Sequence, residues 1–562
     1  MCNRQQQQVE QQRSLCAAVA QALGSSGAAT QSSDFGGWPV MAFEQLEQRF
    51  LTMAGLTPSK EASDVLRIVV FSAAFAVAVL LAHLIKALGR YVRNSSVLSA
   101  FPLAPGSNIL LGHVLPLLKC PSQGKGAWDL MEEWAKARGS IVRFRVLGTH
   151  GLVVNDPVAF KRIFQTRLKI YAKDLSLSYH PFMPILGTGL VTADGELWQK
   201  QRLLMGPALR VDILDDIVDI AQRGAARLAD KLEQYRGTGQ VVHLEEEFRL
   251  LTLQIIGEAI LSLPPEECDR VFPQLYLPVM EEGNKRVLRP HRKYLPSPAW
   301  FAFKWRMARL NSFLTNLIRA RWQARQAGKP GRGDILDRIL AAIEAAGTKW
   351  SAAIETQLCY EMKTFLLAGH ETSAAMLMWS VYELSRHPQQ RDKVLKEAVR
   401  VFGPSGSNTA TRPAADGMVY TLSVLKEALR RYSVVPVVTR TLKEDDQLEG
   451  KAVPAGTMIV CHLQGVHNQW SEPTAFRPER FMPGGEFDCF EEGVRPYMFV
   501  PFIQGPRNCL GQHLALLEAR VVLALLQQRF SFKLASKLAD PGQRHPTVIP
   551  VASIDGLPVT IE

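Results

Sequence analysis

The sequence lacks clustered cysteines. Its eight cysteines stand at positions 2, 16, 120, 268, 359, 461, 489 and 509, and no CxxC pair occurs. Closely spaced cysteines mark zinc ribbons, iron–sulfur sites and small disulfide-stapled domains. Their absence argues against those classes and is typical of a protein body that folds in a reducing compartment. A single cysteine in unusual surroundings then becomes informative.

Long runs of one charge are also missing. The chain carries 65 Lys and Arg against 53 Asp and Glu, a formal net charge of +12 over 562 residues. The basic residues are scattered among acidic ones, whereas nucleic-acid-binding proteins gather them on one face or in one tail. We therefore expect no nucleic-acid partner. An acidic protein partner and an anionic membrane surface both fit the small excess.

One long apolar run is present near the N-terminus. The eighteen residues from Ile68 to Ile85 carry no formal charge, which is the minimal length for a bilayer span. Lys86, Arg90 and Arg93 follow, and such a flank predicts that the C-terminal side faces the cytosol. A buried core helix is the alternative. We expect a disordered or targeting extension at 1–64, a transmembrane helix at 65–88, and a basic, Pro-rich hinge at 89–108.

Residues 109–562 form one continuous region without internal repeats. Apolar residues recur at helical spacing over 212–235, 310–325, 354–386 and 389–402. Strand-like stretches are fewer and shorter, at 141–145, 152–155, 458–463 and 530–534. The predicted fold class is mainly α with a minor β portion (α+β). A single domain of this size is unusually large, and a large buried cofactor would help to explain it.

The surroundings of Cys509 are distinctive. Residues 501–520 read PFIQGPRNCLGQHLALLEAR, with Gly505 and Gly511 flanking the cysteine. Glycine permits backbone angles that other residues avoid and lets backbone N–H groups approach a ligand. A helix predicted after Gly511 would direct its positive end at the sulfur and lower the thiol pKa. Arg507 could pair with a carboxylate. A small buried cysteine in a tight turn is the alternative.

The stretch from Phe502 to Gly511 completes the pattern F-x-x-G-x-R-x-C-x-G. It resembles the haem-binding loop of the cytochrome P-450 superfamily. The resemblance implies the cytochrome P-450 fold, with a single large haem-binding domain after an N-terminal transmembrane helix. It implies haem b (iron protoporphyrin IX) as the cofactor and the thiolate of Cys509 as the iron ligand. It also implies that Phe502, Arg507 and Gly511 bind the cofactor.

Other motifs of the superfamily follow in the expected order. Residues 368–373 read AGHETS inside the helix predicted at 354–386. The resemblance implies Thr372 and Glu371 as catalytic residues, because oxygen activation needs timed proton delivery and a hydroxyl beside a carboxyl can supply it. Solvated helix surface is the alternative interpretation of this Glu-Thr pair.

A second set of motifs is implied to be structural. Glu427 and Arg430, in EALR, lie one helical turn apart and can pair. Arg480 belongs to the motif PERF at 478–481. The resemblance implies a buried network of these three residues that fixes the haem side of the fold.

Three further residues are implied to bind the cofactor. Trp198 and Arg202, in WQKQR, lie four residues apart and hence on one helix face. By resemblance they contact the haem propionates, and Arg440 is similar to a further propionate-binding arginine. Surface positions on a helix or strand are the alternative for all three.

The implied reaction inserts one oxygen atom of O2 into a lipophilic substrate of the terpenoid or carotenoid, sterol or fatty-acid class. Because the chain shows no flavin or nucleotide motif, the electrons must come from a separate reductase. A flavoprotein NADPH reductase is expected for a single-pass protein of the endoplasmic reticulum with a cytosolic catalytic domain; ferredoxin is the donor if the membrane is that of a plastid. A haem-thiolate isomerase or dehydratase and a non-enzymatic haem-binding membrane protein are the alternatives.

Five segments are implied to line the substrate pocket, and their Pro, Leu, Val and Phe content favours a lipophilic ligand. They are residues 179–190, 261–305, 365–367, 434–438 and 549–552.

Overall fold

A computed structural model describes residues 60–562 except 177, 210–212, 405, 539, 541 and 548. The chain divides into two compact units, Met1–Gly89 and Arg90–Glu562. The extension predicted at 1–64 lies outside the described residues, apart from its last five.

A long apolar helix, α1 (Lys60–Val97), begins in the first unit. Within the described residues one span, Val70–Ala100, is long and apolar enough to cross a membrane. Its most apolar part has a mean hydropathy of 2.1, and none of the residues in that part is buried. The length, hydropathy and exposure of this span favour a transmembrane helix over a buried core helix, and the span across a membrane stays a prediction. The helix continues to Val97, so the first part of the segment predicted as a hinge at 89–108 is helical.

Helices carry most of the second unit. The later helices, in chain order, are α2 (Val114–Lys119), α3 (Ala127–Arg138), α4 (Pro157–Lys161), α5 (Met183–Leu186), α6 (Gly195–Met205), α7 (Ile213–Glu233), α8 (Leu244–Leu261), α9 (Pro265–Val271), α10 (Leu277–Leu288), α11 (Pro298–Gln326), α12 (Ile335–Ala345), α13 (Ala352–Arg386), α14 (Pro388–Phe402), α15 (Arg412–Asp416), α16 (Val419–Arg431), α17 (Leu463–His467), α18 (Glu486–Cys489), α19 (Arg495–Met498) and α20 (Gln512–Arg529).

The strands are short. They are β1 (Ile141–Val146), β2 (Thr149–Val154), β3 (Tyr171–Lys173), β4 (Val242–His243), β5 (Val437–Leu442), β6 (Asp446–Leu448), β7 (Lys451–Val453), β8 (Met458–His462), β9 (Phe532–Leu534) and β10 (Pro558–Ile561). Among the described residues they form a five-stranded sheet in the order β1-β2-β8-β5-β3, a three-stranded sheet β4-β10-β9, and the pair β6-β7. Only β2 and β8 run parallel within the described strands.

The predicted fold class is confirmed, with a minor sheet beside a mainly helical body. The helices predicted from apolar spacing correspond to α7, α11, α13 and α14, and the predicted strands to β1, β2, β8 and β9. The helix predicted at 310–325 is the second half of α11, which begins twelve residues earlier at Pro298. Its first half carries exposed aromatic residues that hide the helical period from a sequence pattern.

The core is built around α13 and α20. The first packs against α8, α11, α16 and α20, and the second also packs against α7 and α14. From Leu514 to Gln527, α20 is buried on nearly every side, and the charged Glu518 and Arg520 are buried with its apolar majority. The same holds for α13, except over a short stretch near its middle.

Candidate active site

The exceptional stretch of α13 carries the predicted catalytic residues. Residues 361–366 and 373–384 of this helix are buried, whereas Ala368 is exposed and Leu367, Gly369, Glu371 and Thr372 are partly exposed. Accessible surface in the middle of a core helix means that this part of the helix borders space inside the domain. We call residues 367–372 the open stretch of α13.

Thr372 and Glu371 face different partners. The hydroxyl of Thr372 donates to the carbonyl of Ala368 at 2.5 Å, a bond of the kind that bends helices. Glu371 Oε1 lies 3.3 Å from Nη2 of Arg249 on α8 and 3.7 Å from Nε2 of His370. Burial raises the pKa of Glu371, and the charge of Arg249 opposes this in part. A carboxyl with a raised pKa on the same open stretch as a hydroxyl is suited to proton delivery.

The loop around Cys509 is closed by two backbone hydrogen bonds. The Cys509 N–H donates to the carbonyl of Phe502 at 2.8 Å, and the Asn508 N–H donates to that of Gly505 at 3.0 Å. Gly505 has φ +76°, and a Cβ there would lie 2.2 Å from the carbonyl oxygen of Phe164. Only glycine fits at this position.

Gly511 differs from what the sequence indicated. Its backbone angles, φ −89° and ψ 11°, are ones that any residue can adopt, so the turn of the chain does not require glycine at this position. Nothing lies within 4 Å of a Cβ built on it. Gly511 also precedes α20 directly, as the predicted helix start requires. The residue therefore leaves one side of the loop open to a close-lying ligand.

The pKa of the Cys509 thiol also differs from the expectation. The residue keeps accessible surface, yet protein atoms crowd the sulfur, and burial raises its pKa. The Gly511 N–H and the charge of Arg202 act in the opposite direction, as the predicted helix start would, but burial outweighs them. A metal ion on the sulfur would reverse this balance, since a coordinating thiol loses its proton.

Helix α6 is joined to this loop at two points. Arg202 donates to the carbonyl and the side-chain oxygen of Asn508, at 2.8 and 2.6 Å. Arg507 forms an ion pair of 2.5 Å with Asp194, which precedes α6, and its guanidinium lies 4.8 Å above the ring of Trp198. The structure thus brings Trp198, Arg202 and Arg507 to the loop; their role toward a haem propionate stays a prediction.

A group of cations lies beside Arg507. Arg440 on β5 is directly opposite Lys173 on β3, and Arg440 is only 2% exposed. Within the described residues, Nε of Arg440 has no hydrogen-bond partner, and its Nη1 donates to the carbonyl of Thr439. Burial, together with the charges of Arg440 and Arg507, lowers the pKa of Lys173 to about 7. We call Lys173, Arg440 and Arg507 the cation cluster.

The cation cluster fits an anionic ligand. Facing like charges destabilise a sheet, and a buried cation without an acid is costly. The nearby Asp194 already pairs with Arg507. A ligand with two carboxylates, as haem has, would balance the excess positive charge. Sequence reasoning missed Lys173 because no motif surrounds it and its register with Arg440 exists only in the folded sheet.

Glu427, Arg430 and Arg480 form a buried network. Two Arg430 nitrogens lie 2.8 Å from the two carboxylate oxygens of Glu427, and Arg480 Nε lies 3.2 Å from Oε1. All three residues are at most 2% exposed. Arg480 also pairs with Glu486, and the Arg477 N–H donates to Glu427 at 3.0 Å. The meander between α16 and the Cys509 loop is thereby held from inside.

The fold and the site together describe a haem-thiolate oxidoreductase, and comparisons with known proteins agree. A family model described as Cytochrome P450 matches residues 102–552. Cytochrome P450 4c21 of Blattella germanica is 27% identical over 474 residues, covering 80% of this chain and 91% of that protein. Cytochrome P450 4V2 of Rattus norvegicus is 30% identical over 397 residues, covering 64% and 70%.

Two further likenesses agree as well. Protein LUTEIN DEFICIENT 5, chloroplastic, of Arabidopsis thaliana is 28% identical over 446 residues, covering 75% of this chain and 72% of that protein. The crystal structure of the cytochrome P450DA heme domain shares the fold, with a TM-score of 0.70, 22% identity, and coverage of 82% of this chain and 97% of that one. The chain belongs to the cytochrome P450 family. It is a haem-dependent monooxygenase that takes O2, a substrate and electrons from a redox partner.

Proposed function

We propose that this monooxygenase oxidises a lipophilic substrate of the terpenoid or carotenoid, sterol or fatty-acid class. The observation that carries the proposal is the Cys509 loop, which presents a thiol with the Gly511 N–H on it at the start of α20. Bound there, haem supplies oxygen activation at an iron held by the Cys509 thiolate. The apolar segments predicted to line the pocket, and the exposed apolar helix α1, support a substrate that partitions into membranes.

The protein's own residues position the cofactor. Arg440 and Lys173 offer buried positive charge to its carboxylates, and Arg507 joins them if it exchanges Asp194 for a propionate. Trp198 packs under Arg507, and Arg202 holds Asn508, so α6 fixes the loop beside the ligand. Phe502 closes the loop through its carbonyl, and Gly511 leaves the open side free.

Thr372 and Glu371 supply the proton path in this proposal. Burial raises the pKa of Glu371 and so favours its protonated form, while Arg249 holds the carboxyl in place. Thr372 lies on the open stretch of α13, and its hydroxyl can exchange the carbonyl of Ala368 for a ligand in the site. A Thr372→Ala enzyme should therefore still bind substrate and consume NADPH, but release most of the reducing equivalents as hydrogen peroxide.

Electrons come from a separate reductase in this proposal, a flavoprotein that uses NADPH, and the membrane is the endoplasmic reticulum. The plastid alternative, with a ferredoxin donor, has support in the chloroplastic relative from Arabidopsis thaliana. Fluorescence of the full chain fused at its C-terminus to a reporter separates the two membranes. Turnover with each donor then separates the two reductases.

The decisive experiment is the carbon-monoxide difference spectrum of the reduced full chain beside Cys509→Ala. A strongly red-shifted Soret band that the variant loses supports thiolate ligation by Cys509. An ordinary haem band in the wild type, or the same red-shifted band in the variant, contradicts it. Substrate class follows from reconstitution with reductase and a panel of terpenoids, sterols and fatty acids.

A further inference from the structure

A short segment before α6, residues Gly187–Val191, lies directly on α13. A Cβ built on Gly189 would stand 2.2 Å from Thr364 Oγ1 and 3.1 Å from the carbonyl of Tyr360, so backbone touches helix here. Thr364 precedes Ala368 by about one helical turn. The segment therefore borders the open stretch of α13, and its position shapes the space beside that stretch.

Two charged side chains hold Leu190 from opposite sides. Its N–H donates to Oε2 of Glu361 at 2.9 Å. Lys173 Nζ donates to the carbonyls of Leu190 and Val191, at 2.8 and 2.9 Å. Glu361 is fully buried on α13, and Lys173 is partly buried on β3. Burial shifts the pKa of both Lys173 and Glu361 to about 7. In either protonation state a buried hydrogen-bonding group is costly to leave unpaired, so these three bonds dominate the placement of the segment.

Two glutamines complete the arrangement. Gln357 Nε2 donates to Oε1 of Glu361 at 2.8 Å and to the carbonyl of Thr188 at 3.1 Å. Thr188 returns a bond from its hydroxyl to Gln357 Oε1, at 2.9 Å. Gln201 on α6 donates to the same Thr188 carbonyl at 2.7 Å. Both carboxylate oxygens of Glu361 are therefore used to fix the segment to the helix.

We propose that Lys173 and Glu361 are positioning residues that clamp Leu190 and so set how bulky a ligand can reach the haem. The proposal rests on the haem site of the proposed function. Lys173 also belongs to the cation cluster, where it faces Arg440. One side chain thus joins the cofactor edge to the wall of the substrate pocket.

Two measurements on the holoenzyme test the clamp without a known substrate. The first is hydrogen exchange of the Leu190 amide, whose hydrogen bond within the described residues is the one to Glu361. The second is the spectral titration of the haem with 4-phenylimidazole and with imidazole. Both bind iron through the same ring, and only the phenyl group meets the pocket wall.

We expect Glu361→Leu and Lys173→Met to speed exchange at Leu190 and to weaken 4-phenylimidazole roughly tenfold, the equivalent of one charge-assisted hydrogen bond. Imidazole binding by Glu361→Leu should change less than about twofold, because this change touches neither the iron, its ligand nor the cation cluster. Glu361→Gln and Lys173→Arg keep an acceptor and a donor in place, so both should restore wild-type behaviour.

The clamp is overturned if the Leu190 amide of Glu361→Leu exchanges at the wild-type rate and the ratio of its affinities for 4-phenylimidazole and imidazole is unchanged. If Lys173→Met fails to retain haem, Glu361→Leu decides alone, since its side chain lies in α13. A wild-type protein that shows no Soret band after expression with haem refutes the haem site itself. Exchange at Leu190 then still tests the clamp, so the two failures are distinguishable.

Discussion

Removal of the Glu427 carboxylate should destabilise the protein far more than its position outside the catalytic stretch suggests. The change Glu427→Leu takes from Arg430 two bonds of 2.8 Å and from Arg480 one of 3.2 Å. Arg480 keeps Glu486. Among the described residues, Arg430 then keeps the ring of Trp470 and three backbone carbonyls, those of His467, Pro473 and Ala475, but no acid. One guanidinium is then buried without a counter-charge.

The magnitude follows from that burial. Breaking a buried ion pair by removing one partner costs about 3–5 kcal/mol, because the other charge stays buried. Whole-protein stabilities are typically about 5–15 kcal/mol, so a large share would be lost. Arg430→Met should cost a similar amount. The double change Glu427→Leu/Arg430→Met should cost far less than the sum, since no unpaired charge remains of that pair, giving a coupling energy of at least ~2 kcal/mol.

The assay is urea unfolding of the haem-loaded protein, followed by far-ultraviolet circular dichroism and by the Soret band. Lys393→Met is the matched control, since its ion pair with Glu479 is about half exposed on both sides and should contribute less than ~1 kcal/mol. Additive single changes, or a Glu427→Leu protein within ~1 kcal/mol of the wild type, would refute the reasoning.

Three other outcomes follow from the structure. Gly505→Ala should lower the free energy of unfolding by at least about 2 kcal/mol and reduce haem content, because φ is +76° and Phe164 leaves no space for a Cβ. Gly148→Ala, where a Cβ would meet nothing within 4 Å, should be nearly neutral in the same unfolding experiment. Arg440→Met should speed haem transfer to apomyoglobin roughly tenfold. The haem-free protein should be equally or more stable, because the change removes a buried cation that has no acid partner among the described residues. A loss of haem-free stability would contradict this prediction. Burial lowers the pKa of His467 from 6.5 to about 3, so the folded protein binds this proton less readily than the unfolded chain, and stability is lost as pH falls from about 6.5 toward 3. In His467→Gln the free energy of unfolding, measured with urea, should depend less steeply on pH in that range, by up to ~1.4 kcal/mol per pH unit. An unchanged slope would refute this prediction.

Local patterns predicted the parts of the site that are local in the chain. The loop from Phe502 to Gly511 and the start of α20 depend on neighbouring residues, so spacing alone places them. The pair of Glu427 and Arg430 is likewise set by one helical turn. Apolar spacing predicted the main helices because apolar residues recur with the helical period along each of them, apart from the first half of α11.

Contacts between distant segments escaped prediction. Lys173 resembles an ordinary strand lysine until β3 pairs with β5, and Glu361 resembles a surface carboxylate until residues 187–191 cover it. The Gly511 N–H lowers the pKa of the Cys509 thiol as the sequence predicted, but the opposing effect of burial escaped prediction, because desolvation depends on how many atoms surround the sulfur. Composition near one cysteine cannot report that number.

The two larger sheets join chain segments that leave the ribosome at very different times. Strand β2 finds its parallel partner β8 about 300 residues later, and β4 pairs with β10, which ends one residue before the C-terminus. Contacts between segments so far apart in the sequence form slowly and late in folding. The cation cluster joins Lys173 on β3, Arg440 on β5 and Arg507 of the Cys509 loop, so it can assemble only after residue 507 has left the ribosome. Capture of the cofactor by this cluster therefore follows the release of Arg507, and the AGHETS motif at 368–373 is made well before the site that it serves exists.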